Sequence, residues 1–190
     1  MELRQSMLER RSIRKFTSRP VERALLEELL KTALWAPSGM NRQPWKFFVL
    51  EGGALERLIQ FSGRMTESMD EPLRIQGFND KMRQFVKGYF RDLGGAKTAV
   101  VCLSKSADTY LADHANMVSS AAALYNFLLL AHEAGLATCW MTGYATEEEE
   151  LLRILGVSGY KLVGVTPVGY ADQVPPVPPR KGEDIIWLSS

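Results

Sequence analysis

The chain has 190 residues with 46% apolar and 24% charged side chains, enough for one domain with a substantial buried core. Its 23 Lys and Arg balance 22 Asp and Glu, so there is no overall basic field for nucleic acid or an anionic membrane surface. No N-terminal signal pattern or apolar run of spanning length is present, which leaves the cytoplasm as the expected location.

Residues 2–9 can form a short helix with Leu3, Met7 and Leu8 on one side, followed by an extended basic run, Arg10-Arg11-Ser12-Ile13-Arg14-Lys15-Phe16. In an extended run Arg10, Ser12 and Arg14 alternate against Arg11 and Lys15. Two guanidiniums and a hydroxyl on one edge suit a phosphate, a polyhydroxylated linker and an electron-poor ring. A solvated basic turn is the other reading of these residues, with Lys15 facing solvent. Leu25, Leu26, Leu29, Leu30, Ala33 and Leu34 predict a helix over 21–36. Pro37 ends it, and Ser38–Pro44 reads as a shaped loop before a strand at 46–50.

Gly52-Gly53 predicts a break before a short helix at 54–61, and residues 62–95 suggest two more helices near 70–77 and 79–92. Ala96–Ser104 is an apolar run of the kind buried on both faces. Tyr110–Ala134 predicts the longest helix, apolar nearly all round and therefore covered on several sides. A strand is expected at 137–141. Thr146 is expected to cap a further helix with Glu149 as its reciprocal partner, and the Glu147–Glu150 run is assigned to the favourable first turn of that helix. The last core strand is 161–170, and the proline-rich tail 172–190 ends in Ile185-Ile186-Trp187-Leu188, a strand-like apolar end suited to lying on a partner. No repeat or linker divides 1–190, so a single domain is expected.

Cys102 and Cys139 lie in apolar surroundings and form no Cys-x-x-Cys pattern, so both read as buried free thiols. His114 and His132 are eighteen residues apart on one helix, which puts them about 27 Å from each other and excludes a shared metal. No zinc spacing, phosphate loop or dinucleotide fingerprint is present. Ser38 lacks the context of a nucleophile.

The basic run, followed after one helix by Ala36-Pro37-Ser38-Gly39-Met40-Asn41-Arg42-Gln43-Pro44-Trp45, resembles the FMN-dependent nitroreductase family. The likeness continues through Asn126–Trp140 and covers nearly all the chain apart from 62–95. It implies an α+β nitroreductase-like fold, with a mixed, mainly antiparallel sheet of four or five strands flanked by helices, in an intertwined homodimer with FMN at the interface. Arg10, Arg11 and Ser12 would hold the phosphate and ribityl chain, and Arg14 would stand near N1 and O2 of the ring. No side chain need act as a catalytic acid or base.

Pro37, Ser38, Gly39 and Asn41 would reach the flavin from the other subunit. Gln43 would either join them or brace its own loop. Trp140, Met141, Thr142 and Gly143 match the segment lining the ring, although some relatives carry a carboxylate where Thr142 stands. Arg180 and Lys181 match a basic pair that completes the phosphate site, or else simply solubilise the tail. Asn79 has a loose counterpart in some relatives and is not assigned. The resemblance further implies ping-pong hydride transfer from NADH or NADPH to a nitroaromatic, quinone or similar acceptor, with 62–95 covering the pocket. A flavin-storing or flavin-sensing protein, and a reductive dehalogenase, are the competing readings.

Overall fold

A computed structural model describes residues 2–180, 182 and 185–188. The chain runs α1 (Leu3–Glu9), α2 (Arg23–Ala33), β1 (Trp45–Glu51), α3 (Gly52–Ser68), α4 (Asp70–Ile75) and α5 (Asp80–Asp92). It continues with β2 (Thr98–Lys105), α6 (Tyr110–Glu133), β3 (Ala137–Thr138), α7 (Glu148–Leu155) and β4 (Tyr160–Gly169).

Four strands form one sheet in the order β1-β2-β4-β3, every adjacent pair antiparallel. The extended basic run joins its edge through a parallel bridge between Ser12 and Thr138, which makes the pairing mixed. Both faces of the sheet are covered, and side-chain alternation explains how. On β2, Ala99, Val101 and Leu103 enter the core beneath α3, α5 and α7. Val100 and Cys102 turn to the opposite core, beneath α2 and α6. Both cysteines are buried free thiols.

A register shift between Cys102 and Leu103 opposes Gly164 on one side and Leu162 on the other, leaving Val163 as the extra residue of a bulge. The Val163 carbonyl there accepts a hydrogen bond from Trp140 Nε1 at 2.9 Å. Gly164 leaves room for the Trp140 ring, which a Cβ would strike. This anchoring pulls the chain out of the ladder, so β3 ends at Thr138. Met141 returns only as an isolated bridge to Val165, instead of the continuous strand expected to 141.

Two further expectations need correction. The helix predicted at 54–61 begins at Gly52 and runs to Ser68, because buried positions continue through Phe61, Ser62, Met65 and Thr66. Ser62 is tolerated in that core because it bonds the Tyr144 hydroxyl at 2.5 Å and donates to the Leu58 carbonyl at 2.7 Å. The capping box at Thr146 does not form. Residues 143–147 make a 3-10 turn, Thr146 donates to Gly143 O, and α7 starts only at Glu148. Lys15 faces solvent as expected, and there it pairs with Asp172 at 2.9 Å.

Asn79 is the N-cap of α5, its side chain accepting from Met82 N at 2.9 Å. Ile185–Leu188 are 70–94% exposed and form no strand. No helix of the described residues is long and apolar enough to cross a membrane.

Candidate functional site

The basic run is pinned along its length by backbone bonds. Ile13 N donates to Thr138 O, Phe16 N to Gly94 O and Thr17 N to Tyr170 O, each at 2.9 Å. Arg14 leaves this frame with its guanidinium over the Tyr89 ring, 6.0 Å from the centroid. Arg14 Nη1 donates to Ser12 O at 3.5 Å. Among the described residues no carboxylate forms an ion pair with Arg14, Arg10 or Arg11.

Arg14 borders a cavity of about 520 Å³ that also takes in Cys139, Trp140, Met141, Thr142 and Gly143. The opposite wall comes from the segment the motifs leave unassigned. Met69, Leu73, Phe78, Phe85, Tyr89 and Phe90 supply apolar and aromatic surface, with Gln76 and Glu147 among the few polar residues. At Gly143 a Cβ would lie 2.8 Å from Phe90 Cζ, so this glycine lets α5 close directly onto the turn. Burial drives the Cys139 thiol upward in pKa, with Arg14 acting in the opposite direction. Burial thus favours the neutral thiol over the thiolate.

The other predicted residues lie elsewhere in one chain. Arg10 and Arg11 border a separate cavity of about 470 Å³ together with His132 and the tail residues Gln173, Val174, Pro175 and Val177. Arg11 Nη1 donates to Leu8 O at 2.6 Å and Arg10 O at 2.9 Å, while Nε of both arginines is buried without a partner. Ser12 is half-buried beside Thr138. Arg180 is exposed on the tail, and Lys181 lies outside the described residues.

The loop after α2 carries the backbone strain. Met40, Asn41 and Gln43 have φ of 54°, 53° and 48°, a left-handed conformation costly for residues with a Cβ. It is stitched together by Gln43 N donating to Ser38 Oγ at 3.0 Å and Gln43 Nε2 to Asn41 Oδ1 at 3.1 Å. Gly39 N reaches Ser119 Oγ on α6 at 3.4 Å. Gly39, Met40, Asn41 and Gln43 all remain exposed, and Pro37 likewise. Gln43 borders a third cavity, of about 800 Å³, which shares no lining residue with that of Arg14.

The profile of the Nitroreductase family matches residues 7–170. The chain belongs to the nitroreductase family. It is 24% identical over 184 residues to YfhC of Bacillus subtilis, whose name assigns it provisionally to the NAD(P)H nitroreductases, covering 94% of this chain and 89% of that one. A variant of the FMN- and NADPH-dependent nitroreductase NfnB from Sphigopyxis sp. strain HMH superposes with a TM-score of 0.78 at 27% identity, over 98% and 99% of the two chains. An iodotyrosine deiodinase of Haliscomenobacter hydrossis is 31% identical over 83 residues, 38% of this chain and 37% of that one.

The nitroreductase match stops at residue 170, before Arg180 and Lys181. Tyr89, Phe90 and Gly94 belong to no motif of the sequence, because they fall in the 62–95 stretch to which the motif resemblance does not extend. The available signal was a pair of adjacent aromatics ending a helix before Gly94-Gly95.

Proposed function

We propose that this nitroreductase-family protein is an FMN-dependent oxidoreductase that uses NADH or NADPH to reduce a small electrophilic acceptor such as a nitroaromatic or quinone. The observation that carries the reading is an arginine without an acid partner, Arg14, at the edge of an aromatic cavity closed by Trp140–Gly143. Those residues fit the family's cofactor. An unneutralised cation suits a ring that gains negative charge on reduction, and apolar walls suit its planar faces. The orphaned Nε groups of Arg10 and Arg11 suit a phosphate. FMN, when bound, supplies the hydride-transfer chemistry.

The chain's own residues then bind and orient. Arg14 would offer positive charge, Met141–Gly143 would line the ring, and Phe78, Phe85, Tyr89 and Phe90 would exclude water from the reacting space. One cavity of about 520 Å³ would serve reductant and acceptor in turn, and ping-pong kinetics are the expected consequence.

The arrangement needs two copies of the chain. The strained loop Pro37–Gln43 and the Arg14 cavity have no shared lining within one chain. A homodimer that lays this loop, with Ser38, Gly39 and Asn41, across its neighbour's cavity unites the two motifs. Reductive dehalogenation is supported less well, because a nitroreductase matches at 27% identity over 98% and 99% of the two chains, whereas the full-length likeness to a deiodinase is 23% and spans 65% of that relative.

The purified protein is expected to be yellow and to oxidise NADPH or NADH with nitrobenzene or benzoquinone as acceptor. Arg14→Ala is expected to weaken FMN retention at least tenfold. A colourless protein that ignores added FMN would overturn the assignment, and bound FMN without turnover would turn it into a storage or sensing role.

A further inference from the structure

Arg14 is a long, exposed side chain with no acid partner among the described residues and one hydrogen bond at 3.5 Å. Left to itself, such a guanidinium samples many rotamers, and a charge that wanders contributes little to a fixed site. The one aromatic face over which it lies belongs to Tyr89, on the last turn of α5. We infer that Tyr89 is a positioning residue whose ring holds the Arg14 guanidinium in place and thereby sets how strongly the site favours reduced over oxidised FMN. This deepens the cofactor reading above and rests on it.

Three observations support the role. Tyr89 is 7% exposed and packed in the core, so it is a fixed platform for a mobile cation. Its position is tied to the basic run through Gly94, whose φ is +67°. A Cβ on Gly94 would run into the backbone carbonyl of Arg14 and approach Tyr89 Cε2 to 3.1 Å. The Gly94 carbonyl in turn accepts from Phe16 N at 2.9 Å. Ring, turn and basic run therefore meet at a closeness that only glycine permits.

The third observation concerns the hydroxyl, which is buried beside the Cys139 thiol with no oxygen or nitrogen partner among the described residues. Burial, reinforced by Cys139, raises its pKa far above the ordinary phenol value, against the smaller opposing pull of Arg14. Tyr89 thus stays neutral. An ionised phenol beside Arg14 would cancel the charge that it positions.

The test is the two-electron potential of bound FMN by dye equilibration, together with the dissociation constant of oxidised FMN from the apoprotein. Tyr89→Phe keeps the ring and is expected to match wild type in both. Tyr89→Met, close in volume but without an aromatic face, is expected to shift the potential negative by about 30 mV, the equivalent of a tenfold loss of preference for the reduced ring. Tyr89→Leu serves the same purpose should the methionine variant fold poorly. In an Arg14→Ala background the Tyr89→Met change is expected to add nothing, because the group through which it acts is gone.

An equal shift in both backgrounds would overturn the inference, as would an unshifted potential in Tyr89→Met and Tyr89→Leu. So would a Tyr89→Phe protein that behaves like Tyr89→Met, since the hydroxyl would then be the active part. Wild-type protein that binds no FMN would overturn the cofactor reading first, a result told apart by the absence of any flavin signal.

Discussion

His132 sits half-buried between the end of α1 and the start of the tail, with Nε2 lacking a partner and Arg10 and Arg11 on the same cavity. Desolvation lowers its pKa from 6.5, Glu9 opposes this, and the two arginines reinforce it. A histidine held below its unfolded value binds fewer protons folded than unfolded in the window between the two values. Stability therefore falls as pH drops below about 6.5 and is unaffected by this group well above it. Thermal unfolding followed from pH 7.5 to 5.5 is expected to show that slope, and His132→Gln to flatten it. Asp70, Glu71, Asp113 and Glu150 have lowered pKa values, led by hydrogen bonds from Lys87, Arg74, Lys161 and Arg153 respectively. Their stabilisation is fully present above the ordinary carboxylate values of 3.8 and 4.5 and is lost only at more acid pH, so the two effects separate. At the same scale Asn79 has a structural duty as N-cap, and Asn79→Ala should cost about 1 kcal/mol of stability by urea denaturation.

Elements that announce themselves by period were legible. The α2 leucines, the doubly buried β2 and the long α6 needed only local pattern. The misses occurred where a partner distant in sequence decided the outcome. Nothing near Ser62 says that it will be satisfied from eighty-two residues away, so α3 looked finished at 61. The end of β3 depends on a bulge at Val163, and the late start of α7 on the 3-10 turn before it. In the site, the basic run and the Ala36–Trp45 stretch stand out by residue type and spacing, but Tyr89 and Phe90 do not, because an aromatic pair in an aperiodic segment carries no address.

The Ser62–Tyr144 link offers a test of how α3 is fixed to the turn beside the cavity. Tyr144→Phe removes the phenol and leaves Ser62 still donating to Leu58 O. Ser62→Ala leaves a fully buried Tyr144 hydroxyl with nothing to bond. The second change should cost about 1–3 kcal/mol and the first clearly less. The double variant should be close to Tyr144→Phe alone, as measured by chemical denaturation.

At the scale of the molecule, the exposed apolar residues are too organised to be incidental. On α6 the side chains of Leu111, Val118 and Tyr125 are 77%, 54% and 38% exposed at seven-residue spacing, which aligns them along one stripe of the helix. Trp35 and Met40 are each 89% exposed on the segment that Gly39 ties to this helix, and Trp187 and Leu188 are 91% and 94% exposed on the tail. A second copy of the chain would cover such surface and would bring the strained 37–43 loop to the Arg14 cavity in one event. Dimerisation and cofactor binding should then be lost together. Wild type is expected near twice 21.3 kDa by light scattering, and Leu111→Glu combined with Val118→Glu near the monomer mass, because two buried carboxylates without partners oppose association. If the loop completes its neighbour's site, the monomeric variant should lose FMN by at least tenfold in dissociation constant, although neither changed residue borders the Arg14 cavity. A folded monomer that binds FMN as tightly as wild type would show that one chain suffices, and the loop's strain would then require another explanation.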